Sequence, residues 1–529
     1  MALFTLVGLA LRLHDIGRES FWLDEAGRAA IAALPLRDIP AAVGVVELSP
    51  PLYHLLLHFW MRLVGDGDVP IRLFSALLVI PTVPLAWSIG TALGGRWMGA
   101  VTALLSAVSP FAVRYGQEAA MYALLLVLSL AATRSAIAAL VTSAAQIQIP
   151  SPHHGGERVG VRGAPSSEAA LLRKQRTMGL AAYVVLGTLA LYTHYYAVFL
   201  LAAVASVGIA RALSQRSRHG LILWVAAHVL IGLFFLPWVG VMGRQAALAA
   251  SVPDWSGVSL GRAITVWSGV ALADGSPGWV SLGGVALLSA GSALGLARLP
   301  WRSPSVWLMA VLVVGPLLAA ALSSVALNSF RERGLMVAIS AVWALLAASI
   351  AAQRSLGRWD ALARGILAIA VATATFSGLS WHGLLHKEDW RSAARNVAAS
   401  AAPDDPIFFV HFASQLPFDR YYSGPQPRVG LPASFGWEDG YTARFLVTAD
   451  DVERRVPPAL VGKTHAWIVL SHDRGRGSDY LVAALDRWGT RVIDNDLDDV
   501  RVIRYASRTA LQDPSVSEAL PTRPRSEQQ

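Results

Sequence analysis

Two adjacent carboxylates, Asp24 and Glu25, are the residues of this sequence best suited to chemistry. They follow a short apolar N-terminal segment, in a chain that is otherwise mostly apolar. Acidic side chains beside a bilayer cost free energy, so they are usually kept where a function uses them. The simpler alternative is that they begin an interfacial helix and complement its dipole. The pair predicts an enzyme that acts at the outer face of a membrane.

The composition places the chain among membrane proteins. Of its 529 residues, 54% are hydrophobic and 15% are charged, and the mean hydropathy is +0.48. The net charge of +9 comes from basic residues spread over short loops, which favours membrane topology over nucleic-acid binding as its cause. The chain has no cysteine, which excludes disulfides and thiolate metal sites.

Long apolar runs predict an α-helical polytopic membrane protein of about eleven spans, given that roughly twenty residues cross a bilayer. The predicted spans are 1–13, 71–93, 97–113, 119–141, 179–192, 195–211, 220–243, 278–297, 305–327, 335–352 and 361–381. Basic residues concentrate in alternate loops, and the positive-inside rule assigns those loops to the cytosol. The N-terminus is therefore predicted to lie inside the cell, and everything after residue 381 outside. The predicted location is the plasma membrane.

The chain is predicted to divide into a transmembrane catalytic domain (1–381), a small extracytosolic α/β domain (382–506) and a disordered tail (507–529). The α/β domain carries predicted strands at 407–411, 466–471 and 500–505 and predicted helices at 389–401 and 479–488. Within the first domain, the outer loop 14–70 contains two apolar stretches that predict interfacial helices, 26–46 and 50–64. Residues 142–178 are rich in Pro, Gly, Ser and basic residues, which predicts a disordered cytosolic insertion.

Four polar motifs collect at the predicted outer face, although the orientation rests on the basic loops alone. They are Asp24-Glu25, Arg114 to Glu118, Tyr192 to Tyr196, and Arg331 to Arg333. Each motif alone has a simpler reading. His194 would be an interfacial anchor, and the two outer-turn arginines would reach lipid headgroups. Arg114 and Glu118 would form a structural ion pair. The convergence of all four motifs on one predicted face favours a functional site.

The motif set resembles the GT-C membrane glycosyltransferases. The branch is that of the dolichyl-phosphate-mannose protein mannosyltransferases, glycosyltransferase family 39, and the bacterial aminoarabinose transferase. The resemblance runs from residue 1 to about residue 425. The motifs that carry it are Trp22-Leu23-Asp24-Glu25, Ser49-Pro50-Pro51-Leu52-Tyr53, Ser109-Pro110-Phe111, Tyr115 to Leu124, Thr193-His194-Tyr195-Tyr196 and Lys387-Glu388-Asp389-Trp390-Arg391.

The resemblance implies transfer of a sugar from a polyprenyl-phosphate carrier to an acceptor hydroxyl, with inversion at the anomeric carbon. It implies Asp24 as the general base, with Glu25 orienting the acceptor or tuning Asp24 by its charge. The departing lipid phosphate needs cations, and the resemblance implies Arg333, assisted by Arg331 and Arg114. The further predicted substrate-binding residues are Glu118, Tyr115, Gln117, Tyr122 and Tyr195.

Some members of the family hold a divalent metal near the phosphate, and His194 is the predicted ligand for Mg, Mn or Zn. Ser49 stands where a histidine or charged residue is common, which weakens that expectation. The expected partners are a polyprenyl-phosphate-sugar donor, a glycan, lipid or protein acceptor and membrane lipids, without nucleic acid. The alternative functions are a polyprenyl-lipid or glycolipid flippase and a catalytically silent scaffold. Sugar and acceptor stay open.

Overall fold

The computed structural model describes residues 1–141, 166–251, 278–327, 336–351, 361, 365, 387–435, 446–471, 473 and 475–508. The chain forms two compact units. The membrane unit comprises Met1–Ile16, Leu48–Gly65 and Val69–Leu384, and the loop–sheet unit comprises Gly17–Glu47, Asp66–Asp68 and Leu385–Gln529. This division differs from the predicted boundary at residue 381, because residues 17–47 of the first loop group with the C-terminal part of the chain.

Helices dominate the chain before residue 352. In order they are α1 (Ala2–Leu13), α2 (Leu23–Ala33), α3 (Ile39–Val46), α4 (Leu52–Val64), α5 (Asp68–Leu77), α6 (Val79–Gly94), α7 (Arg96–Val108), α8 (Pro110–Gly116), α9 (Tyr122–Val141), α10 (Ser166–Thr193), α11 (Ala197–Ser214), α12 (Arg218–Ser251), α13 (Gly278–Arg298), α14 (Pro304–Leu327) and α15 (Met336–Ala351). The two apolar stretches of the first loop are helical, as α2 with α3 and as α4, and their interfacial position stays a prediction. A proline at 35 separates α2 from α3.

Several of these helices have the length and apolar composition that a membrane span requires, which makes the chain a multi-pass membrane protein. Within the described residues, four helical stretches meet both criteria: Asp68–Gly94, Tyr122–Leu140, Ala197–Ser214 and Arg218–Ala247. The bent pair α7 and α8 would make a fifth. The predicted number of eleven is therefore not reached in the described part of the chain. Other apolar helices there are shorter, such as Ala2–Leu13, and the predicted span 361–381 lies almost entirely outside it.

The bend of 51° between α7 and α8 has a local chemical cause. Pro110 lacks the N–H that would donate to Ser106 O in a continuous helix. The buried guanidinium of Arg12 donates to Ser106 O at 3.5 Å, to the next carbonyl, Ala107 O, at 3.0 Å and to Gly8 O of its own helix at 2.9 Å. Ser109 accepts from a backbone N–H and caps α8. Arg12 thus joins α1 to the bend that precedes the motif at 114–118.

The start of α10 differs from the prediction. The expected disordered insertion ran to residue 178, whereas α10 begins at Ser166. Its first turns contain Glu, Ala, Leu, Arg, Lys and Gln, which are strong helix formers. Basic composition does not indicate disorder here, because the polar residues at the start of α10 extend its apolar part as a solvated helical section. Residues 142–165 of the predicted insertion lie outside the described residues.

The loop–sheet unit contains α2, α3 and a five-stranded sheet flanked by helices. Its remaining elements are α16 (Trp390–Ala398), β1 (Ile407–Val410), a short 3-10 helix (Phe412–Ser414), α17 (Gln415–Tyr421), β2 (Arg428–Leu431), α18 (Ala449–Leu460), β3 (His465–Leu470), α19 (Gly477–Trp488), β4 (Gly489–Leu497) and β5 (Val500–Ser507). The strand order is β2-β1-β3-β5-β4, with β1 parallel to β2 and β3, and β5 antiparallel to β3 and β4. The three predicted strands are present as β1, β3 and β5.

Alternation of side chains along β1 and β3 builds a core on each face of the sheet. Phe408 and Ile468 pack with residues of α18 and α19. Phe409 and Trp467 pack on the other face with residues of α16 and α17. Both faces are thereby buried, and the two buried strands read as continuous apolar runs in the sequence.

Truncating Leu481 tests the first of these cores. Leu481 on α19 is completely buried, so Leu481→Ala is expected to lower the free energy of unfolding by about 2–5 kcal/mol because it leaves a cavity. Denaturant-dependent hydrogen exchange of β1 and β3 in the full-length protein measures this change. Val461→Ala is the matched control, because Val461 is largely exposed. Equal protection in both variants would contradict the assigned core.

Candidate active site

Asp24 lies in the first turn of α2 and remains accessible to a ligand. Its side chain is 34% exposed, and its Oδ2 accepts a hydrogen bond at 3.2 Å from the guanidinium of Arg28, one helical turn further along. Arg28 is buried and also lies 3.3 Å from Oε1 of Glu47. One guanidinium therefore holds two carboxylates. The Asp24 carboxylate is oriented by a fixed cation and still reachable from solvent.

Glu25, the next residue, is completely buried. Its exposed fraction is 0%, and its Oε2 lies 3.1 Å from Nζ of Lys387. A buried ion pair of this kind is sensitive to removal of either partner, because the remaining charge would stay in a medium of low dielectric constant. The burial favours the second of the two predicted roles, in which the charge of Glu25 tunes Asp24, over direct contact with an acceptor, and both roles stay predictions. Glu25 also fixes the first turn of α2.

The chain that enters α2 is tied to the residues that follow Lys387. The hydroxyl of Ser20 donates to the carbonyl of Glu388 and accepts from the backbone N–H of Trp390 at 3.2 Å. The Glu388 carboxylate accepts from the backbone N–H of Leu23 at 3.2 Å and from the Trp390 indole at 2.8 Å. Two motifs more than 360 residues apart in sequence are thus hydrogen-bonded to each other. This contact explains why residues 17–47 belong to the loop–sheet unit.

A second cluster in the same unit is centred on the carboxylate of Asp68. It accepts hydrogen bonds from Arg391 at 2.5 Å, Arg420 at 2.7 Å and the phenol of Tyr421 at 2.6 Å. The Tyr421 oxygen also accepts from the backbone N–H of Phe21 at 2.7 Å. Charge-assisted hydrogen bonds are stronger than neutral ones. The cluster therefore holds the start of the first loop against α16 and α17 from a second side.

Loss of the Tyr421 proton is expected to weaken this cluster at high pH. Burial, together with the hydrogen bond to Asp68, raises the pKa of Tyr421 to about 12. The folded state favours the neutral phenol, so its contribution to stability is complete below the ordinary tyrosine value of about 10 and is lost as pH rises through about 12. Hydrogen exchange of the 17–23 segment at stepped pH measures this loss. The loss of protection at high pH should be smaller in Tyr421→Phe and should persist in the control Tyr480→Phe. Equal losses in both variants would contradict the role assigned to Tyr421.

Several predicted residues of the membrane unit also come together. Arg114 Nε lies 3.5 Å from Oε1 of the buried Glu118, so the ion pair that was the simpler reading of this motif is present. A row of aromatic ring contacts extends from this ion pair to His194. The ring centroids of Tyr115 and Tyr122 are 5.0 Å apart, and those of Tyr122 and His194 are 5.8 Å apart. Motifs from α8, α9 and the end of α10 therefore form one cluster. Glu118 Oε2 is buried there without a hydrogen-bond partner among the described residues.

Two other predicted substrate-binding residues have structural contacts. The side-chain amide nitrogen of Gln117 donates to the carbonyls of Leu11 at 3.1 Å and His14 at 2.7 Å, which secures the end of α1. The phenol of Tyr195 accepts from the indole of Trp238 at 2.9 Å and donates to the side chain of Gln245. These contacts stabilise packing in the membrane unit. The predicted phosphate-binding residues Arg331 and Arg333 lie outside the described residues.

The described residues do not offer a set of ligands for the metal expected at His194. No group of three His, Asp or Glu side chains is arranged to hold an ion in the part of the chain that the structure describes. The His194 ring lies between the rings of Tyr122 and Tyr196, and its Nδ1 accepts from the Tyr196 backbone N–H at 3.1 Å. Divalent cations of the Mg or Mn type need several oxygen ligands. The described residues around His194 therefore do not fit such an ion.

Sequence reasoning missed Arg28, Glu47 and Lys387 as members of the site. The position of Arg28, four residues after Asp24, was a usable signal, because residues at this spacing face each other on a helix. Glu47 precedes the Ser49-Pro50-Pro51 motif, but nothing local pairs it with Arg28. Lys387 belongs to the motif at 387–391, but no local pattern pairs it with Glu25, which is 362 residues away.

Comparison with known proteins supports a relation at the level of the fold. Residues 49–146 match the family described as dolichyl-phosphate-mannose-protein mannosyltransferase. This segment contains Arg114 and Glu118 but begins after Asp24. No curated protein matches the chain at a significant level.

Two crystal structures of ArnT from Cupriavidus metallidurans are similar over nearly the whole chain. The apo structure has a TM-score of 0.56 at 14% identity, covering 95% of this chain and 97% of ArnT. The structure bound to undecaprenyl phosphate has a TM-score of 0.57 at 14% identity, covering 96% and 98%. The shared fold and the family match at 49–146 confirm that this chain resembles the GT-C membrane glycosyltransferases of the protein mannosyltransferase and ArnT branch.

Proposed function

We propose that this chain transfers a sugar from a polyprenyl-phosphate donor to a hydroxyl group of an envelope glycolipid, polysaccharide or protein. The reaction takes place at the outer face of the plasma membrane, and the loop–sheet unit is extracytosolic. The donor class is suggested by the fold shared with ArnT, one structure of which binds undecaprenyl phosphate. The family match at 49–146, described by its use of dolichyl-phosphate-mannose, supports the same class of donor.

The observation that carries the proposal is the geometry at Asp24. A general base has to be accessible to the hydroxyl whose proton it accepts and has to be held in place. Asp24 meets both needs, because its side chain is 34% exposed while Arg28 fixes one carboxylate oxygen. The buried pair of Glu25 and Lys387 keeps the same turn of α2 rigid. Preorganised charge of this kind lowers a barrier without reorganisation during the reaction.

The chemistry follows from a single displacement. The acceptor hydroxyl gives its proton to the Asp24 carboxylate as its oxygen bonds to the anomeric carbon of the sugar. The bond from that carbon to the phosphate oxygen breaks on the opposite side, which inverts the anomeric configuration. The lipid phosphate leaves as an anion, and by resemblance Arg333, Arg331 and Arg114 balance its charge. Tyr115, Tyr122 and Glu118 are proposed to contact the sugar.

A screen of labelled donors tests the proposed function. Purified full-length protein in lipid is incubated with a series of radiolabelled polyprenyl-phosphate sugars and with membrane extract as the source of acceptor. The proposal requires label from one of these donors to appear in a new product. Absence of any product with the whole series, together with transbilayer movement of the carrier, would support the flippase instead.

Arg333→Ala separates phosphate binding from proton transfer. Loss of a cation at the departing phosphate is expected to lower the rate by about 10²–10³-fold and to weaken donor binding as well, since the donor already carries the phosphate charge. Donor retention and initial rate are measured together. Arg302→Ala is the control, because Arg302 is an exposed arginine between α13 and α14. Unchanged affinity and rate in Arg333→Ala would contradict the phosphate assignment.

A further inference from the structure

The membrane unit contains a cleft that has no part in the proposed mechanism. It lies among the end of α9, the first half of α10, the end of α11 and the start of α12, and its empty space, including the adjoining space open to solvent, is about 240 Å³. Its polar lining residues are Arg176, Arg211, Gln215 and Ser217. The loops next to it carry the basic residues that predict a cytosolic position.

Two arginines, Arg176 and Arg211, line this cleft, and the lining residues include no acidic side chain. Arg176 on α10 and Arg211 on α11 are both partly buried and close enough to repel each other. Among the described residues, neither side chain forms an ion pair or a hydrogen bond, in contrast to Arg28 and Arg114. Like charges held together in a partly desolvated cleft are unfavourable unless an anion lies between them. The arrangement therefore indicates an anionic ligand.

The start of α12 adds to the positive potential of the cleft. Ser217 caps this long helix, because its Oγ accepts from the backbone N–H of Gly220 at 3.0 Å. Ser217 and Gly220 both line the cleft, and a Cβ atom added to Gly220 would lie 3.4 Å from a terminal guanidinium nitrogen of Arg176. The positive end of the helix dipole and Arg176 thus act on the same space.

The rest of the lining is apolar. Trp224 of α12 is buried and packs directly on Gly208 of α11, where an added Cβ would lie 2.5 Å from the indole. Leu140 and Ala212 complete this wall. A phosphate matches the forked donors of two arginines, and an apolar wall beside it suits the glycerol and upper acyl chain of a lipid.

We infer that this cleft binds a phosphate anion, carried by the headgroup of an anionic phospholipid of the cytosolic leaflet or present as free phosphate. The inference stands on the cleft and its two unpaired arginines and does not depend on the transferase activity. Binding would neutralise the repulsion between Arg176 and Arg211 and would join α10, α11 and α12 at their polar ends.

Native mass spectrometry of delipidated full-length protein tests this inference. The probes are dioleoylphosphatidylglycerol, dioleoylphosphatidylcholine and inorganic phosphate. The cleft variant combines Arg176→Gln with Arg211→Gln, and the control combines Arg216→Gln with Arg218→Gln, which removes two exposed charges from the same region. Loss of two charge-assisted contacts is expected to weaken phosphatidylglycerol binding at least about tenfold in the cleft variant only.

The outcomes separate the sources of the phosphate. Phosphatidylglycerol that is retained in millimolar inorganic phosphate identifies the lipid, whereas displacement by inorganic phosphate identifies the free anion. Equal binding of every probe by wild type and cleft variant, or equal weakening in the control, would overturn the inference. Melting temperature without lipid reports on folding. Where the glutamine pair unfolds the protein, the single variant Arg211→Gln replaces it, and unchanged phosphatidylglycerol binding in that variant would again overturn the inference.

Discussion

Asp24→Asn is expected to lower the rate of sugar transfer by about 10²–10⁴-fold, the usual contribution of a general base, and to leave folding and donor binding unchanged. An amide has nearly the same shape as the carboxylate but cannot accept the proton of the acceptor hydroxyl. The fold should tolerate the change, because Arg28 keeps its contact with Glu47 at 3.3 Å. Initial rates with labelled donor and acceptor extract measure the effect.

The matched control for this variant is Asp38→Asn. Asp38 lies in the same first loop, is exposed, and makes no side-chain capping hydrogen bond at the start of α3. Its replacement removes the same charge from the same loop without touching the Asp24 turn. A rate near that of wild type in Asp24→Asn, or the same loss in Asp38→Asn, would show that Asp24 is not the base.

Lys387→Met is expected to destabilise the loop–sheet unit by about 3–5 kcal/mol, the usual cost of removing one partner of a buried ion pair. The carboxylate of Glu25 is fully buried and 3.1 Å from Lys387 Nζ. The variant removes the ammonium group and leaves this carboxylate in a place that water does not reach. Turnover should fall as well, because the first turn of α2 carries Asp24. Denaturant-dependent hydrogen exchange of residues 20–34 measures the stability.

A double-mutant cycle makes this prediction specific. Lys387→Met and Glu25→Gln are each expected to destabilise the unit, while the double variant should cost less than their sum, since it leaves no unpaired charge. Lys463→Met is the control, because Lys463 lies in a turn and forms no ion pair among the described residues. Strictly additive costs of Lys387→Met and Glu25→Gln would mean that the two side chains are not coupled.

The sequence predicts those features that depend on residues close together in the chain, and it does not predict contacts between residues that are far apart in the chain. Apolar runs gave most helices of the membrane unit, and the buried strands β1 and β3 were readable because both faces of the sheet are covered. Strand β4 was missed, because charged residues such as Arg491 and Asp494 leave it without a continuous apolar run or a regular apolar–polar alternation. The helical start of α10 was missed because its basic composition was taken for disorder.

The site shows the same limit more sharply. Asp24 and Glu25 were predicted from local sequence, and Arg28 was within reach of helix spacing. The contacts that hold them were not, because Lys387, Glu388 and Arg391 come from the far end of the chain. No pattern of composition or periodicity can pair a first loop with residues more than 360 positions away. Local sequence therefore could not show that Glu25 is buried against Lys387, a position that favours its predicted role of tuning Asp24 over its predicted role of orienting the acceptor.

The most direct test of the central claim follows both products of one turnover. Full-length protein is reconstituted in vesicles with the loop–sheet unit outside, and a polyprenyl-phosphate sugar labelled in the sugar is supplied with acceptor extract. The proposed mechanism predicts that labelled product and free polyprenyl phosphate are formed in equal amounts with wild type and that both are formed at least about 100-fold more slowly with Asp24→Asn. Intact donor that crosses the bilayer at the same rate in both proteins, without free polyprenyl phosphate, would contradict it.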